Sequence, residues 1–174
     1  MDGRKDFDFQ TGRWRVRNSR LARRLEGCTE WQEFDAECAA HALPGGMGNI
    51  DYFDCARFYD GKPLHGVTLR LFDPTTRLWS IHWADDRSHQ LQPPVIGRFV
   101  DGHGVFVGDD TFAGRPIRVR FIWTVDGRDA ARWEQAFSTD GEKTWEANWR
   151  MWHTRQNGAA VALGNLSRRG FDLL

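Results

Sequence analysis

The sequence lacks the charge imbalance that is typical of proteins with polyanionic partners. Lysine and arginine together number 24, aspartate and glutamate also number 24, and the net charge is zero when the histidines are neutral. A neutral chain has no overall field that would draw it to nucleic acid or to an anionic lipid surface. The composition therefore predicts neither a nucleic-acid partner nor a membrane partner.

Cysteine is scarce, and its spacing excludes the common cysteine sites. The three cysteines are Cys28, Cys38 and Cys55, and no two of them have metal-ligand spacing. No run approaches the roughly 20 apolar residues that a membrane-spanning helix needs. Residues 1–9 also lack the apolar stretch of a signal peptide. We therefore expect free thiols and a cytoplasmic location.

Sequence motifs for catalysis are missing as well. The chain has no glycine-rich phosphate loop and no nucleophile elbow. The histidines do not pair at H-x-H or H-x-x-x-H spacing, so no metal site is predicted. They are His41, His65, His82, His89, His103 and His153. No catalytic residue is predicted, and an enzyme is the less favoured interpretation.

Aromatic residues, by contrast, are abundant. They make up 13% of the 174 residues and include nine tryptophans. In a β protein, so many indoles either fill the core completely or line a cavity. The length suits one domain, which we place over residues 1–174.

Alternation of apolar and polar residues predicts a long series of strands. The clearest is 115–125, in which apolar side chains alternate with Arg118, Arg120 and Thr124. Residues 30–42 contain strong helix formers but also alternate, and we predict a strand there. About ten such runs follow one another with short turns between them. A meander of this size removes its edges by closing, so we predict an all-β fold: one antiparallel up-and-down β-barrel of about ten strands.

Two features of individual strands follow from the same alternation. Residues 48–59 form a predicted strand with Ile50, Tyr52 and Phe58 on one face. Residues 132–155 form a predicted hairpin whose aromatic residues lie opposite each other. Its register pairs Phe137 with Trp145 and Trp133 with Trp149.

The two ends of the chain flank the predicted barrel. Residues 1–11 are a lead-in whose phenylalanine rings plug one end of the barrel. Residues 156–174 are a tail that wraps the outside. The apolar residues 171–174 dock on the barrel or join a second copy of the chain, so a homodimer remains an open alternative.

A short motif at the first strand resembles one in a known superfamily. Gly12-x-Trp14 resembles the first-strand motif of the lipocalin-like (calycin) barrels. The wider pattern is similar to a bacterial family of uncharacterised lipocalin-like proteins, across residues 6–16, 114–121 and 132–145. The resemblance implies that Trp14 closes the barrel floor and that an arginine from near the last strand packs over it. Arg150 and Arg155 are both candidates.

The predicted function is the binding of a small apolar or amphiphilic molecule inside the barrel. The candidate ligand-binding residues share faces with the strongest apolar positions. They are Trp79, Trp83, Phe121, Trp123, Trp133, Gln135, Trp149 and His153. Gln135 and His153 are the expected polar contacts, and no cofactor is required.

Three alternatives remain. Small haem-binding barrels of the nitrobindin type resemble this topology and use a histidine near the end of the chain, as His153 is here. A cofactor-free isomerisation or hydrolysis in the cavity is the second. The third is a structural or interaction protein whose barrel is packed solid. A cavity above about 300 Å³ argues against the third, and haem absorption tests the first.

Overall fold

Ten strands form a single sheet that closes into a barrel. The computed structural model describes residues 3–156. Each strand pairs antiparallel with its neighbours in the chain, and the first strand pairs with the last. The strands are β1 Gly12–Leu21, β2 Trp31–Ala42, β3 Gly48–Cys55, β4 Leu64–Asp73, β5 Leu78–Asp85, β6 Val95–Val100, β7 His103–Phe112, β8 Arg115–Val125, β9 Ala130–Ser138 and β10 Glu146–Arg155. The predicted all-β up-and-down barrel of about ten strands is confirmed.

Besides the strands, residues 3–156 contain two 3₁₀ turns. They cover Asp8–Gln10, before β1, and Pro44–Gly46, between β2 and β3. No helix in the part of the chain that the structure describes is long and apolar enough to cross a bilayer. The predicted tail lies outside the described residues, apart from Gln156.

The second strand shows why alternation outweighs helix propensity. Its inward positions Ala36, Cys38 and Ala40 are buried, while Glu33 and Glu37 on the other face are exposed. Burial of one face stabilises a strand more than local propensity opposes it. The predicted strand over residues 30–42 is therefore confirmed.

The closure of the barrel joins Trp14 in β1 to Arg155 in β10. The two residues are directly paired, and the Arg155 guanidinium carbon lies 4.2 Å from the centre of the Trp14 ring. The indole is fully buried and donates from Nε1 to the carbonyl oxygen of Gln10 at 2.7 Å. Of the two candidate arginines, Arg155 therefore packs over Trp14. Arg150 lies outside and pairs with Glu134 at 3.0 Å.

Aromatic packing fills the end of the barrel where β1 begins, which we call the closed end. Phe7 is fully buried there, with its ring centre 5.0 Å from that of Trp79 and 5.6 Å from that of Phe106. Trp79 Nε1 donates to the carbonyl oxygen of Gly3 at 3.0 Å. The residues before β1 thus cover this end of the barrel.

The β9–β10 hairpin has a different register from the predicted one. Trp133 pairs with Met151, and Trp149 pairs with Gln135. The predicted aromatic-to-aromatic register is wrong at both pairs. Phe137 pairs with Glu146, one residue beyond Trp145, and a β-bulge at Asn148 shifts the pairing by one more residue before Trp149. The bulge buries the Asn148 amide, whose oxygen accepts a bond from Gln135 at 2.9 Å. The Trp133 and Trp149 rings still touch diagonally, with centres 5.8 Å apart.

The faces of β3 also differ from the prediction. Tyr52 lies on the outside with 42% of its surface exposed, and Ile50 shares that face. Phe58 lies beyond the end of β3 and is buried inside, so the three residues do not share a face. The inward positions include Asp51, which forms an ion pair with Arg70 of β4. The inward face of this strand therefore combines the ion pair with the apolar Phe53 and Cys55, which are buried on the same face.

Candidate functional site

A large cavity occupies the interior of the barrel. Its volume is about 730 Å³, and it extends from near the closed end to the opposite end. That end, which we call the mouth, is bordered by Arg20, Tyr59, Arg87 and Asp110. The volume is well above the roughly 300 Å³ at which small-molecule sites begin. The barrel is therefore not packed solid.

Most of the predicted ligand-binding residues line this cavity. Seven of the eight do so: Trp83, Phe121, Trp123, Trp133, Gln135, Trp149 and His153. Trp79 does not, because it points inward too close to the closed end and packs against Phe7. Contact of these residues with a ligand stays a prediction.

Aromatic rings form the middle of the cavity wall. The ring centres of Phe121 and Trp133 are 4.9 Å apart. The indole of Trp149 donates to Asn18 Oδ1 at 3.0 Å, and that of Trp83 donates to Asp85 at 2.7 Å. Because these two N–H groups have partners, the rings present their apolar surfaces to the cavity.

Two arginines at the mouth carry positive charge that no carboxylate neutralises. The Arg20 guanidinium lies 3.9 Å from the centre of the Tyr59 ring, and that of Arg24 lies 4.4 Å from the Phe112 ring. Arg20 is only 5% exposed. Neither arginine forms an ion pair with any residue that the structure describes. Buried cations without a counter-ion are unfavourable.

The pKa values of both arginines reflect this shortage of negative charge. Burial lowers the pKa of Arg20, although Tyr59 opposes the effect. Burial also lowers the pKa of Arg24 to about 10, and repulsion from the charge of Arg20 lowers it further. Attraction by the carboxylates of Glu146 and Asp110 raises this pKa but does not offset the effect of burial. Both groups remain charged at neutral pH.

Arg87, the third arginine at the mouth, is neutralised. It donates two hydrogen bonds to Asp60, at 2.9 and 3.0 Å. The nearby Asp85 carboxylate is also occupied, by the Trp83 indole and by the backbone N–H of Ser88 at 2.7 Å. Among the described residues, Arg20 and Arg24 are therefore the arginines of the mouth that have no carboxylate at ion-pair distance, although Asp85 and Asp110 also line it.

A second polar group lies deep in the cavity. Arg70 is 3% exposed and donates from Nη1 to Asn49 Oδ1 at 3.0 Å and to the Asp51 carboxylate. Its Nε has no partner. The Arg70–Asp51 pair is neutral overall, so this end differs electrostatically from the mouth.

His153 lies beside this ion pair. Its ring centre is 5.1 Å from that of Trp123 and 6.2 Å from that of Trp14. Burial lowers its pKa to about 3, and the charge of Arg70 adds to the effect, whereas a hydrogen bond to the backbone of Ala131 opposes it. The imidazole is therefore neutral at physiological pH.

Sequence reasoning missed the charged residues of the cavity. Arg20 continues the inward alternation of Trp14 and Val16 in β1, and Arg70 lies two residues before the buried Phe72 in β4. Continuing the period of two carries Arg20 inward with Trp14 and Val16. In β4, Leu69 and Leu71 stand on the face opposite Arg70, so alternation does not show that Arg70 lies inside. No group of three or more potential metal ligands occurs among residues 3–156. Their three cysteines are unpaired thiols.

The fold and cavity define a class of protein: a closed ten-stranded antiparallel β-barrel with an internal chamber large enough for a small ligand. No protein-family model matches the sequence. No curated protein sequence matches it either. Among solved structures, the chain is similar to the S-type phycobiliprotein lyase CPES from Guillardia theta. The TM-score is 0.60 at 12% identity, over 91% of this chain and 94% of that one. At this identity the likeness shows the fold.

Proposed function

We propose that this protein binds a small amphiphilic acid, with the acid group at Arg20 and Arg24 and the apolar body inside the barrel. The observation that carries the proposal is the cavity of about 730 Å³ whose mouth holds two uncompensated guanidinium groups. A bound carboxylate would provide the missing counter-ion and accept charge-assisted hydrogen bonds. An uncharged ligand would leave both cations unpaired.

The aromatic wall supports the apolar part of the proposed ligand. Trp83, Phe121, Trp133 and Trp149 line the space between the mouth and the deep polar group. Each Å² of apolar surface that a ligand buries there contributes about 25 cal/mol. An elongated chain or ring system would therefore lie along these residues, with its acid group directed outward.

The structural neighbour supports only the general part of the proposal. It is described as a phycobiliprotein lyase, so the fold is compatible with a protein that handles a small ligand. The acid group is inferred from the arginines of this chain. The finer resemblance to the bacterial family of uncharacterised lipocalin-like proteins stays a prediction.

The alternatives have weaker support. The cavity volume is against a solid-core structural protein. For haem, the obstacle is that His153 lies deep in the barrel with indoles against its ring. No arrangement of the described residues favours a particular cofactor-free reaction.

We also propose a cytoplasmic location, because the cysteines are free thiols. The homodimer is proposed from the apolar residues 171–174.

The proposal is tested by displacement of the fluorescent anion anilinonaphthalene sulfonate from the purified protein. Dodecanoate should displace it, whereas dodecyltrimethylammonium, which has the same apolar chain and a positive charge, should bind at least about tenfold more weakly. Arg24→Gln should weaken dodecanoate binding about tenfold, or about 1.4 kcal/mol. The cation should not lose affinity, because the variant removes a repulsive charge.

Arg17→Gln is the matched control. Arg17 lies on the outer face, with its guanidinium 4.7 Å from the centre of the Trp152 ring. The control removes the same charge without altering the cavity, so dodecanoate affinity should stay within about twofold. Equal losses in the two variants, or equal binding of the anion and the cation, would contradict the proposed function.

A further inference from the structure

At the deep end of the cavity, Trp123 and two residues near its ring each have a buried polar atom without a hydrogen-bond partner. These atoms are Trp123 Nε1, Arg70 Nε and His153 Nδ1. The three residues line the cavity and are 3%, 3% and 5% exposed. The Arg70 guanidinium carbon is 5.6 Å from the Trp123 ring centre, and the His153 ring centre is 5.1 Å from it. Buried polar atoms without partners are rare, so each requires an explanation.

The chemistry of these atoms is mixed. The nitrogens of Trp123 and Arg70 carry protons and are donors. The neutral His153 ring has an unpartnered Nδ1, which accepts or donates a hydrogen bond according to the tautomer. The deep end therefore presents two donors and one imidazole nitrogen that can take either role.

The charge of the deep end selects a neutral ligand group. Asp51 already neutralises Arg70, and its carboxylate would repel a second anion at short range. A carboxylate could also accept from the two donors but could not donate to His153. A hydroxyl group both accepts and donates, so it satisfies atoms of both kinds.

We propose that the deep end of the cavity is a subsite for a hydroxyl group, and that the ligand is a hydroxylated amphiphilic acid. The hydroxyl lies at the opposite end of the apolar body from the acid group. It accepts from Trp123 Nε1 or Arg70 Nε and hydrogen-bonds His153 Nδ1, because a hydroxyl can donate to or accept from an imidazole nitrogen. The acid end of this ligand rests on the proposed function, whereas the hydroxyl end rests on the three unpaired atoms.

The test compares two matched ligands, dodecanoate and 12-hydroxydodecanoate, by isothermal titration calorimetry. Homologues of other chain lengths identify the length that reaches from the mouth to the deep end. At the best length, the wild-type protein should bind the hydroxy acid about three- to tenfold more tightly, as expected for one or two buried hydrogen bonds. Trp123→Phe removes the indole N–H but keeps an aromatic ring, and it should reduce this preference to less than about twofold.

Trp149→Phe is the matched control. Its indole lines the same cavity but already donates to Asn18 at 3.0 Å. Loss of ring surface should weaken both ligands by a similar factor and leave the preference for the hydroxy acid unchanged. A second readout uses the wild-type protein alone: the Trp123 indole N–H resonance should move downfield with the hydroxy acid and not with dodecanoate.

The outcomes separate the two proposals. If both ligands bind wild type equally at every chain length, the hydroxyl subsite is contradicted, while the acid-binding function stands. A preference that persists in Trp123→Phe, with an unmoved Trp123 resonance, also contradicts the subsite. If neither ligand binds, the proposed function fails and the subsite fails with it.

Discussion

The guanidinium of Arg155 lies over the indole of Trp14, 4.2 Å from the ring centre, and joins the last strand to the first. The same guanidinium donates from Nη1 to the carbonyl oxygen of Thr11 at 2.8 Å and from Nη2 to that of Phe9 at 2.7 Å. It therefore attaches the segment before β1 to β10. Arg155 acts both in the closure of the sheet and in covering the closed end.

We expect Arg155→Gln to lower the free energy of unfolding by about 2 kcal/mol. The change removes the hydrogen bonds to the carbonyl oxygens of Phe9 and Thr11, each worth about 0.5–1.5 kcal/mol. It also removes the guanidinium over Trp14, a cation–π contact worth about 0.5–1 kcal/mol or more. Urea denaturation measures the effect. Arg150→Gln is the control, because its exposed ion pair with Glu134 should contribute less than about 1 kcal/mol. Equal effects of the two variants would show that the contacts of Arg155 do not stabilise the barrel.

The stability of the protein should depend on pH through His153. Its pKa is about 3 in the folded state against an ordinary 6.5, so between these values the unfolded state binds more protons. Stability from the neutral imidazole is therefore complete above pH 6.5 and is lost as the pH falls toward 3. The slope cannot exceed about 1.4 kcal/mol per pH unit for one group. Urea midpoints between pH 7 and pH 5, where few carboxylates titrate, measure it.

His153→Phe should flatten this dependence, because phenylalanine fills a similar space and does not titrate. His89→Asn is the control: His89 is exposed in the loop before β6 and has a φ of +51°, which asparagine tolerates. The control should keep the wild-type slope. The same slope in His153→Phe as in wild type would contradict the assignment of the buried neutral histidine.

Mixing the purified protein with hemin should produce no sharp Soret band. Trp14 and Trp123 pack against the His153 ring, so the large planar ring of a porphyrin has no space beside the imidazole. Absorbance titration of wild type and His153→Phe measures the effect. A Soret band in wild type that disappears in the variant would make this a haem protein and contradict the proposed function.

The first-strand motif shows how far sequence reasoning could go. Gly12-x-Trp14 predicted an indole at the barrel floor, and Trp14 is fully buried there. The structure adds the reason for the glycine: its φ is +119°, and a Cβ atom would lie 2.7 Å from Arg155 Nη1. The pairing of β1 with β10, the strands furthest apart in the sequence, places Arg155 opposite Trp14. Alternation agrees with this choice, because Arg155 shares a face with Trp149 and His153 and Arg150 does not.

The register of the β9–β10 hairpin shows where the same reasoning failed. Opposing tryptophans favoured a direct Trp133–Trp149 pair. The bulge at Asn148 instead lets its amide bond Gln135 in the interior. A buried amide needs a partner, and this need is visible only when the interior is known.

The all-β class, the number of strands and the aromatic character of the interior could be predicted from the sequence. These follow from alternation with a period of two, which is a local property that adjacent residues carry. The inward positions of Arg70 and Asp51 emerge only in the folded barrel, because alternation alone cannot show which face of a mixed strand points inward. The positions of Arg20 and Arg24 at the mouth depend on where β1 ends and on the segment that follows it. Charge at the mouth and neutral polarity at the deep end are therefore properties of the closed barrel.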